Sequence, residues 1–312
     1  MNITTEQLTK VYRGGRRALD AVDLHIDQGT VGLLGANGAG KTTLLRILTG
    51  VLRPTSGRVL VGGNDLSTTA GLTAAKRQLG YLPQELNLYP DLTAREFLDY
   101  IAVLKGMHSK QERRRQVEEH LDAVGLRERG SERLAAFSGG MRRRVGIAQA
   151  LLGNPSVLIV DEPTAGLDPH ERMRFRALLA GLGGSRTVLL SSHLLDDVAQ
   201  TCRHVAVIAA GRLVFHGSTG ALAGQAAGCT YVVRGHGPGG LPPADAQVVS
   251  AVTTPAGDAE YRVVTATPPP GGRPVEPSLE DGYAALLAAD TAGRGVSTRD
   301  RNRDGRNEVT ER

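Results

Sequence analysis

The sequence predicts an α/β fold, and three observations point there. Strand-length apolar runs occur at residues 31–34, 157–160 and 187–190, separated by stretches with helical periodicity; this is the pattern of a parallel sheet packed by helices. The first run leads directly into Gly35-Ala36-Asn37-Gly38-Ala39-Gly40-Lys41-Thr42-Thr43 and then into Leu44-Leu45-Arg46-Ile47-Leu48, so a glycine-rich loop sits between a strand and a helix. Gly, four residues, then Gly-Lys-Thr in that setting is a phosphate-binding pattern. Composition then shifts at 217–228, and short strand candidates with one helix candidate follow. The expected architecture is a P-loop nucleotide-binding core with an antiparallel β subdomain and a helical insertion, plus a small C-terminal α+β domain. The expected boundaries are 1–217 for the core (helical subdomain about 85–152), 218–228 for a linker, 229–290 for the accessory domain and 291–312 for a tail. That tail holds Arg, Asp, Asn and Gly with almost nothing apolar, so it is expected to be disordered.

Each element has a local reason. Residues 8–12 and 18–26 alternate on either side of a Gly14-Gly15 turn, with Val22, Leu24 and Ile26 on one face, which reads as an antiparallel pair. A short strand at 58–61 follows the turn Pro54-Thr55-Ser56-Gly57. A brief strand at 80–84 ends on Pro83-Gln84. From Thr93 the pattern turns helical. Thr93-Ala94-Arg95-Glu96 has the form of a capping box, and Phe97, Ile101 and Leu104 share a helix face. Phe137-Ser138-Gly139-Gly140-Met141 opens another helix, which Pro155 ends. The strand at 157–162 places Asp161 and Glu162 at its C-terminal end, and the strand at 187–193 ends in His193. Residues 205–208 and 212–215 flank Ala210-Gly211 as a hairpin. Beyond the composition shift, 231–233, 247–249 and 261–264 are short strands, and Ser278 N-caps a helix reaching about Ala289.

Composition excludes several classes of function. Of 312 residues 40% are hydrophobic, enough for a full core, but only 4% are aromatic and Trp is absent, which argues against a stacking platform for single-stranded nucleic acid. The net charge of +5 is mild over this length and does not require a nucleic-acid partner. Cys202 and Cys229 stand far apart with no metal-ligand spacing and read as reduced thiols. The first residues lack the form of a signal peptide, and no apolar run approaches bilayer length. The expectation is a chain soluble on its own, which would need another chain to reach a membrane.

The residues suggest phosphoryl chemistry. Glycines at 35, 38 and 40 let backbone N–H groups turn toward an anion, and the following helix adds its positive end. Lys41 would reach the outer phosphates, and Thr42 would offer its hydroxyl to Mg2+. Asp161 would hold Mg2+, directly or through water, while Glu162 polarises the attacking water. His193 would contact the terminal phosphate. Gln84 would bridge metal or water to a moving segment. Ser138, Gly139 and Gly140 start a helix and offer free N–H groups, and Arg142, Arg143 and Arg144 crowd its first turn against the dipole. That placement is expected to serve a second phosphate-binding surface.

In this order the pieces resemble the ATP-binding cassette (ABC) ATPase family over residues of about 3 to 217. Residues 35–43 resemble the Walker A loop, Gln84 the Q-loop, and 137–141 the signature usually written Leu-Ser-Gly-Gly-Gln, with Phe137 and Met141 departing from it. Residues 157–162 resemble Walker B, Gly166-Leu167-Asp168 the D-loop, and His193 the switch histidine. The resemblance implies that Tyr12 stacks on adenine and that Asn37, Gly38, Gly40, Lys41, Thr42 and Thr43 contact ATP. Lys41, Gln84, Glu162 and His193 would carry catalysis, and Thr42, Gln84 and Asp161 would hold Mg2+. It further implies a homodimer in which Ser138, Gly139 and Gly140 of one copy close the site of the other. Its partner would be a separately encoded membrane permease at the cytoplasmic face. Met141 followed by arginines, and Pro277-Ser278-Leu279-Glu280-Asp281, are similar to the drug and antibiotic export branch. The alternative is a soluble ABC ATPase acting on ribosomes or DNA, and its usual paired cassettes or long coiled coil are not seen in this sequence.

Overall fold

The computed structural model describes residues 2–164, 167–182, 186–235, 246–254 and 257–304, with the side chains of 180, 182 and 293–304 outside the description. Gly166 and residues 305–312 of the expected tail therefore lie outside the described residues. The chain forms two units, Met1–His216 and Gly217–Arg312.

In the first unit, alternation builds an antiparallel sheet. β1 (Ile3–Val11) and β2 (Arg17–Ile26) pair with Ile3 opposite Ile26 and Leu8 opposite Val22. Ile3, Leu8, Leu19, Val22, Leu24 and Ile26 are buried, the one-face set that a period of two produces. After β3 (Gly29–Leu34) and α1 (Lys41–Leu48), β4 (Ser56–Val61) returns to pair with β1, and β5 (Asn64–Asp65) completes the order β2-β1-β4-β5.

α2 (Thr69–Gln78), which the sequence reading lacked, is N-capped by Thr68 and runs into β6 (Leu79–Leu82). The helical insertion follows as α3 (Ala94–Leu104), α4 (Lys110–Ala123) and α5 (Gly139–Leu151). The capping box is present: Glu96 N donates to the Thr93 hydroxyl at 3.2 Å and Thr93 N to the Glu96 carboxylate at 2.8 Å. α3 buries Phe97, Leu98 and Ala102 and leaves Tyr100, Val103 and Leu104 exposed.

β7 (Val157–Asp161), α6 (Pro169–Leu182), β8 (Thr187–Ser191), α7 (Leu195–Thr201), β9 (His204–Ala209) and β10 (Arg212–Ser218) complete the unit. The second sheet has the order β10-β9-β3-β8-β7-β6, and every pairing from β9 to β6 is parallel. β7 and β8 are buried along their whole length, as central strands of a covered parallel sheet must be. Ala210 and Gly211, both at positive φ (45° and 82°), make the two-residue return between β9 and β10.

The second unit differs from expectation at both ends. Residues 218–228 are folded: α8 (Thr219–Ala223) and a 3₁₀ turn (Gly224–Ala226) bury Leu222 and Ala226, an i, i+4 pair on one side of the chain. β11 (Thr230–Gly235), β12 (Gln247–Thr253), β13 (Ala259–Val264) and β14 (Arg273–Pro274) form an antiparallel sheet of order β12-β13-β11-β14. α9 spans Leu279–Asp304, so helix continues past Ala289 into the segment expected to be disordered. Helical hydrogen bonds are local and do not require an apolar face. Gly282 lets α9 reach α8, since a Cβ there would lie 1.9 Å from the Leu222 carbonyl oxygen.

Lys105, just after α3, donates to the Leu152 carbonyl at 2.6 Å, and burial pushes its ammonium from 10.5 down to about 8. The unfolded chain then holds more protons than the folded one between those values, so stability rises with pH across that window. Denaturant unfolding at pH 7, 9 and 10 should show this rise in the wild type and a smaller one in Lys105→Met.

Candidate active site

β3 ends at Leu34 and α1 begins at Lys41, so the chain must reverse sharply between them. Glycine is required at two of the turning points. Gly35 has φ 155° and Gly40 φ 115°; a Cβ would lie 2.4 Å from the Ile208 carbonyl at the first and 2.6 Å from the Ala18 carbonyl at the second. Gly40 caps α1 without a side chain, which leaves first-turn N–H groups of α1 to face the loop. Lys41 is buried, and its ammonium donates to the carbonyls of Gly35 (2.5 Å) and Ala36 (3.2 Å). Burial pulls its pKa down, and the nearby Glu162 and Asp161 carboxylates oppose this. A buried cation bonded to neutral carbonyls at a helix N-terminus is a setting in which an anion is favoured.

Asp161 ends β7 and is 2% exposed. Burial raises its pKa and the neighbouring Glu162 carboxylate adds to the rise, while Lys41 and Arg143 act to lower it. Glu162 follows at φ 49°, a left-handed conformation that a non-glycine residue adopts at about 1–2 kcal/mol. Two contacts hold it there: Glu162 N donates to the Ser191 carbonyl at 3.0 Å, and Arg143 Nη2 donates to the Glu162 carbonyl at 2.7 Å. The Glu162 carboxylate is hydrogen-bonded to His193 Nδ1. The carboxylate side chain is 10% exposed and the imidazole 53%, so the histidine stands on the open side of the pair.

These groups converge on a cleft of about 370 Å³. Its lining includes Asn37, Gly38, Gly40, Lys41, Thr42 and Thr43 from the loop and α1, with Gln84, Glu162 and His193 opposite them. Gly35 and Asp161 are not among the lining residues; the Gly35 carbonyl accepts from the Lys41 ammonium, and Asp161 directly precedes Glu162. Tyr12 lies beside the cleft, its hydroxyl 3.3 Å from Thr43 Oγ1. Ser138, Gly139 and Gly140 are not among the lining residues. Ser138 caps its own helix by accepting from Met141 N at 3.3 Å, and the Glu171 carboxylate sits against Gly140. Arg16 and Arg17, which the sequence reading passed over, also line the cleft, and the Arg16 guanidinium lies 5.1 Å from the Tyr12 ring centroid. Nothing in a polar turn distinguishes such arginines from solvated ones.

The expected positive surface at 142–144 is corrected. Arg142 donates to the Ala135 carbonyl, Arg144 faces Glu171 at 3.5 Å, and Arg143 is buried with its guanidinium on backbone carbonyls. Successive helical residues point about 100° apart, so three adjacent arginines cannot present one field.

Thr42, Gln84 and Asp161 offer only hard oxygen donors, and no cluster of three His, Cys, Asp or Glu able to hold a metal occurs among the described residues. Such a sparse oxygen set fits Mg2+ shared with phosphates rather than caged by protein alone.

The ABC transporter family profile matches residues 19–165. An uncharacterized ABC transporter ATP-binding protein of Synechocystis sp. is 40% identical over 243 residues, covering 75% of this chain and 67% of the relative. The chain belongs to the ABC transporter ATP-binding protein family. The daunorubicin resistance ATP-binding protein DrrA3 of Streptomyces coeruleorubidus is 38% identical, over 72% of this chain and 71% of its own. The methionine import ATP-binding protein MetN of Geobacillus kaustophilus is 39% identical, over 69% and 65%. A dimeric ATP-binding cassette solved in a post-hydrolysis state with ADP and Pi superimposes with a TM-score of 0.64 at 28% identity, covering 69% of this chain and 98% of that one. The protein is thus an ABC ATPase, of a family that hydrolyses ATP. Among the described residues, no helix is long and apolar enough to cross a membrane.

Gly40→Ala should weaken ATP binding roughly tenfold or more, equivalent to about 1.4 kcal/mol, because the added Cβ meets backbone. Calorimetric titration with ATP checks this, and Gly38→Ala, where a Cβ would meet nothing within 4 Å, serves as the milder comparison.

Proposed function

We propose that this ABC ATPase powers export through a separate membrane permease, using a homodimer with two ATP sites. One observation carries the site assignment: Glu162 and His193 are hydrogen-bonded to each other within the cleft lined by the glycine loop. Glu162 takes a proton from the attacking water as that water approaches the terminal phosphate of ATP. His193 orients the carboxylate and reaches the same phosphate. Lys41 and the N–H groups of the loop hold the outer phosphates, and Tyr12 packs on the adenine. Thr42, Gln84 and Asp161 would hold Mg2+, and the ion would neutralise phosphate charge.

The same lining supports the homodimer. Ser138, Gly139 and Gly140 lie outside the cleft of their own chain, so a second copy is the natural source for that half of each site. The relative solved with ADP and Pi is itself a dimer.

Tyr89, Tyr100, Val103 and Leu104 are exposed large side chains on and beside α3 (43–65% exposed). Tyr89 and Tyr100 stack edge to face at 5.8 Å. An apolar patch of this kind suits a protein partner, and the permease is the partner proposed, with the ATPase held at the cytoplasmic face of the membrane. Similarity to DrrA3, with Met141 and Arg142 following Gly140, supports export of a drug or antibiotic. Similarity to MetN at the same level supports only transport. The neighbouring gene separates the readings: a product with bilayer-length apolar spans that copurifies with this chain supports the permease, and its absence favours a soluble ABC ATPase.

Glu162→Gln should lower kcat roughly 100-fold or more while ATP still binds and a nucleotide-dependent dimer accumulates on size exclusion. Undiminished phosphate release would remove Glu162 from the assignment. Ser138→Arg should abolish hydrolysis and leave ATP binding to the monomer intact; loss of monomer binding would place the 138–140 segment in the site of its own chain.

A further inference from the structure

Arg143 lies in the first half of α5, 6% exposed, and no role for it follows from the cleft, whose lining it does not join. Its guanidinium is nonetheless the most connected group near the site. Nη1 donates to the carbonyls of Pro83 (2.7 Å) and Gln84 (2.9 Å). Nη2 donates to those of Asp161 (2.9 Å) and Glu162 (2.7 Å), and Nε to that of Pro163 (3.1 Å). A guanidinium has five N–H bonds, and all five are engaged by backbone carbonyls from two separate segments. One segment follows β6 and carries Gln84; the other follows β7 and carries Glu162. The β6–β7 ladder runs only as far as the Leu82–Val160 pair, and past it the Arg143 fork joins the two segments.

We infer that Arg143 is a positioning residue for hydrolysis: it fixes the backbones of Gln84 and Glu162 relative to each other, and holds Glu162 in the left-handed conformation that sends its carboxylate to His193. The inference rests on the assignment of Glu162 as the group that activates water. It follows from geometry that lysine cannot replace arginine here. An ammonium has three donors on one atom and cannot reach two segments with a planar fork. Without the fork, one of the two contacts that hold Glu162 at positive φ is lost and the bond to the Ser191 carbonyl alone remains, so its carboxylate is less firmly held against the imidazole. A displacement of about 1 Å at a reacting group costs about 10²-fold in rate. ATP affinity depends on the loop at 35–43, which Arg143 does not touch, so KM should change little. The position also has a consequence for the dimer. Arg143 and Ser138 belong to the same helix and its cap, so any movement of α5 at its N-terminus reaches Gln84 and Glu162 of the same chain.

The test is a double-mutant cycle on the full chain, reading steady-state phosphate release and ATP binding. Arg143→Gln and Arg143→Lys are each expected to lower kcat 10- to 100-fold with KM for ATP within about threefold of wild type. In the Glu162→Gln background, either substitution should lower the residual rate less than twofold, because the group that it positions has already been removed. Losses that multiply in the double variants, or a wild-type kcat in folded Arg143→Gln, would overturn the inference. Thermal unfolding reports folding, and if Arg143→Gln fails to fold, Arg143→Lys, which keeps the buried charge, carries the cycle. A purely structural role would lower kcat in both backgrounds in step with the fraction folded, which also overturns it. Failure of the underlying assignment is distinct: Glu162→Gln alone would then hydrolyse ATP at the wild-type rate.

Discussion

Parallel pairing sets Leu33 of β3 and Asp161 of β7 opposite the same residue of β8, Ser191. Three strands therefore end level, and whatever follows each of them emerges at one edge of the sheet. From β3 comes the glycine loop, from β7 comes Glu162, and from β8 comes His193. A slip of one residue in any of these strands would shift its outgoing segment by about 3.3 Å and turn its side chains to the other face. Either change would separate Glu162 from His193. The complete burial of β7 and β8 is what prevents the slip, since a shifted register would move the flanking polar residues into the core. The site thus depends on the apolar content of strands whose contribution is mainly the residues that follow their ends.

The same edge concentrates charge away from water. Lys41, Asp161 and Arg143 are each at most 7% exposed. Burial acts first on all three: it lowers Lys41, raises Asp161 and brings Arg143 down to about 10. The carboxylates of Asp161 and Glu162 oppose that effect at both cations, so the charges stabilise one another across the strand end. Removing one member leaves the others buried with less compensation, which costs more than the pair gained by forming. Substitutions here therefore need a folding control, and the conservative variant is more informative than alanine.

The parts of this arrangement that were legible in the sequence are those with a local signature. The glycine loop, the Thr93 capping box and the carboxylates at a strand end depend on spacing within a few residues. Residues 218–228 misled because composition drew attention to glycine and alanine, while the informative feature was the spacing of Leu222 and Ala226. Tail composition spoke to the absence of a core, whereas helical hydrogen bonds are local and α9 runs past Ala289. Arg143 is the instructive miss. Between Arg142 and Arg144 it looked like one of three equivalent charges. Yet Arg143, Gly146, Ile147 and Ala150 fall on one helical stripe, and all are buried. An arginine at the head of an otherwise small and apolar stripe was a signal that the charge points inward. What it meets there, carbonyls just past β6 and at the end of β7, distant in sequence, was beyond any local pattern.

That buried contact also decides how α5 can behave. A helix is stiff along its axis, and Ser138 stands about 7–8 Å from Arg143 on the rise per residue. Hydrogen bonds from a charged group contribute about 1.5–3 kcal/mol each, so releasing five together would cost several kcal/mol even if they are far from additive. Pro83, Gln84, Glu162 and Pro163, by contrast, lie just beyond the ends of β6 and β7, where the bond from Glu162 N to the Ser191 carbonyl is the remaining tie to the sheet. Displacement at the start of α5 is therefore better accommodated by moving Gln84 and Glu162 than by breaking the fork. If the helix start answers to a second copy, as the dimer proposal holds, closure of one site would adjust the water-activating carboxylate of the other through a single guanidinium.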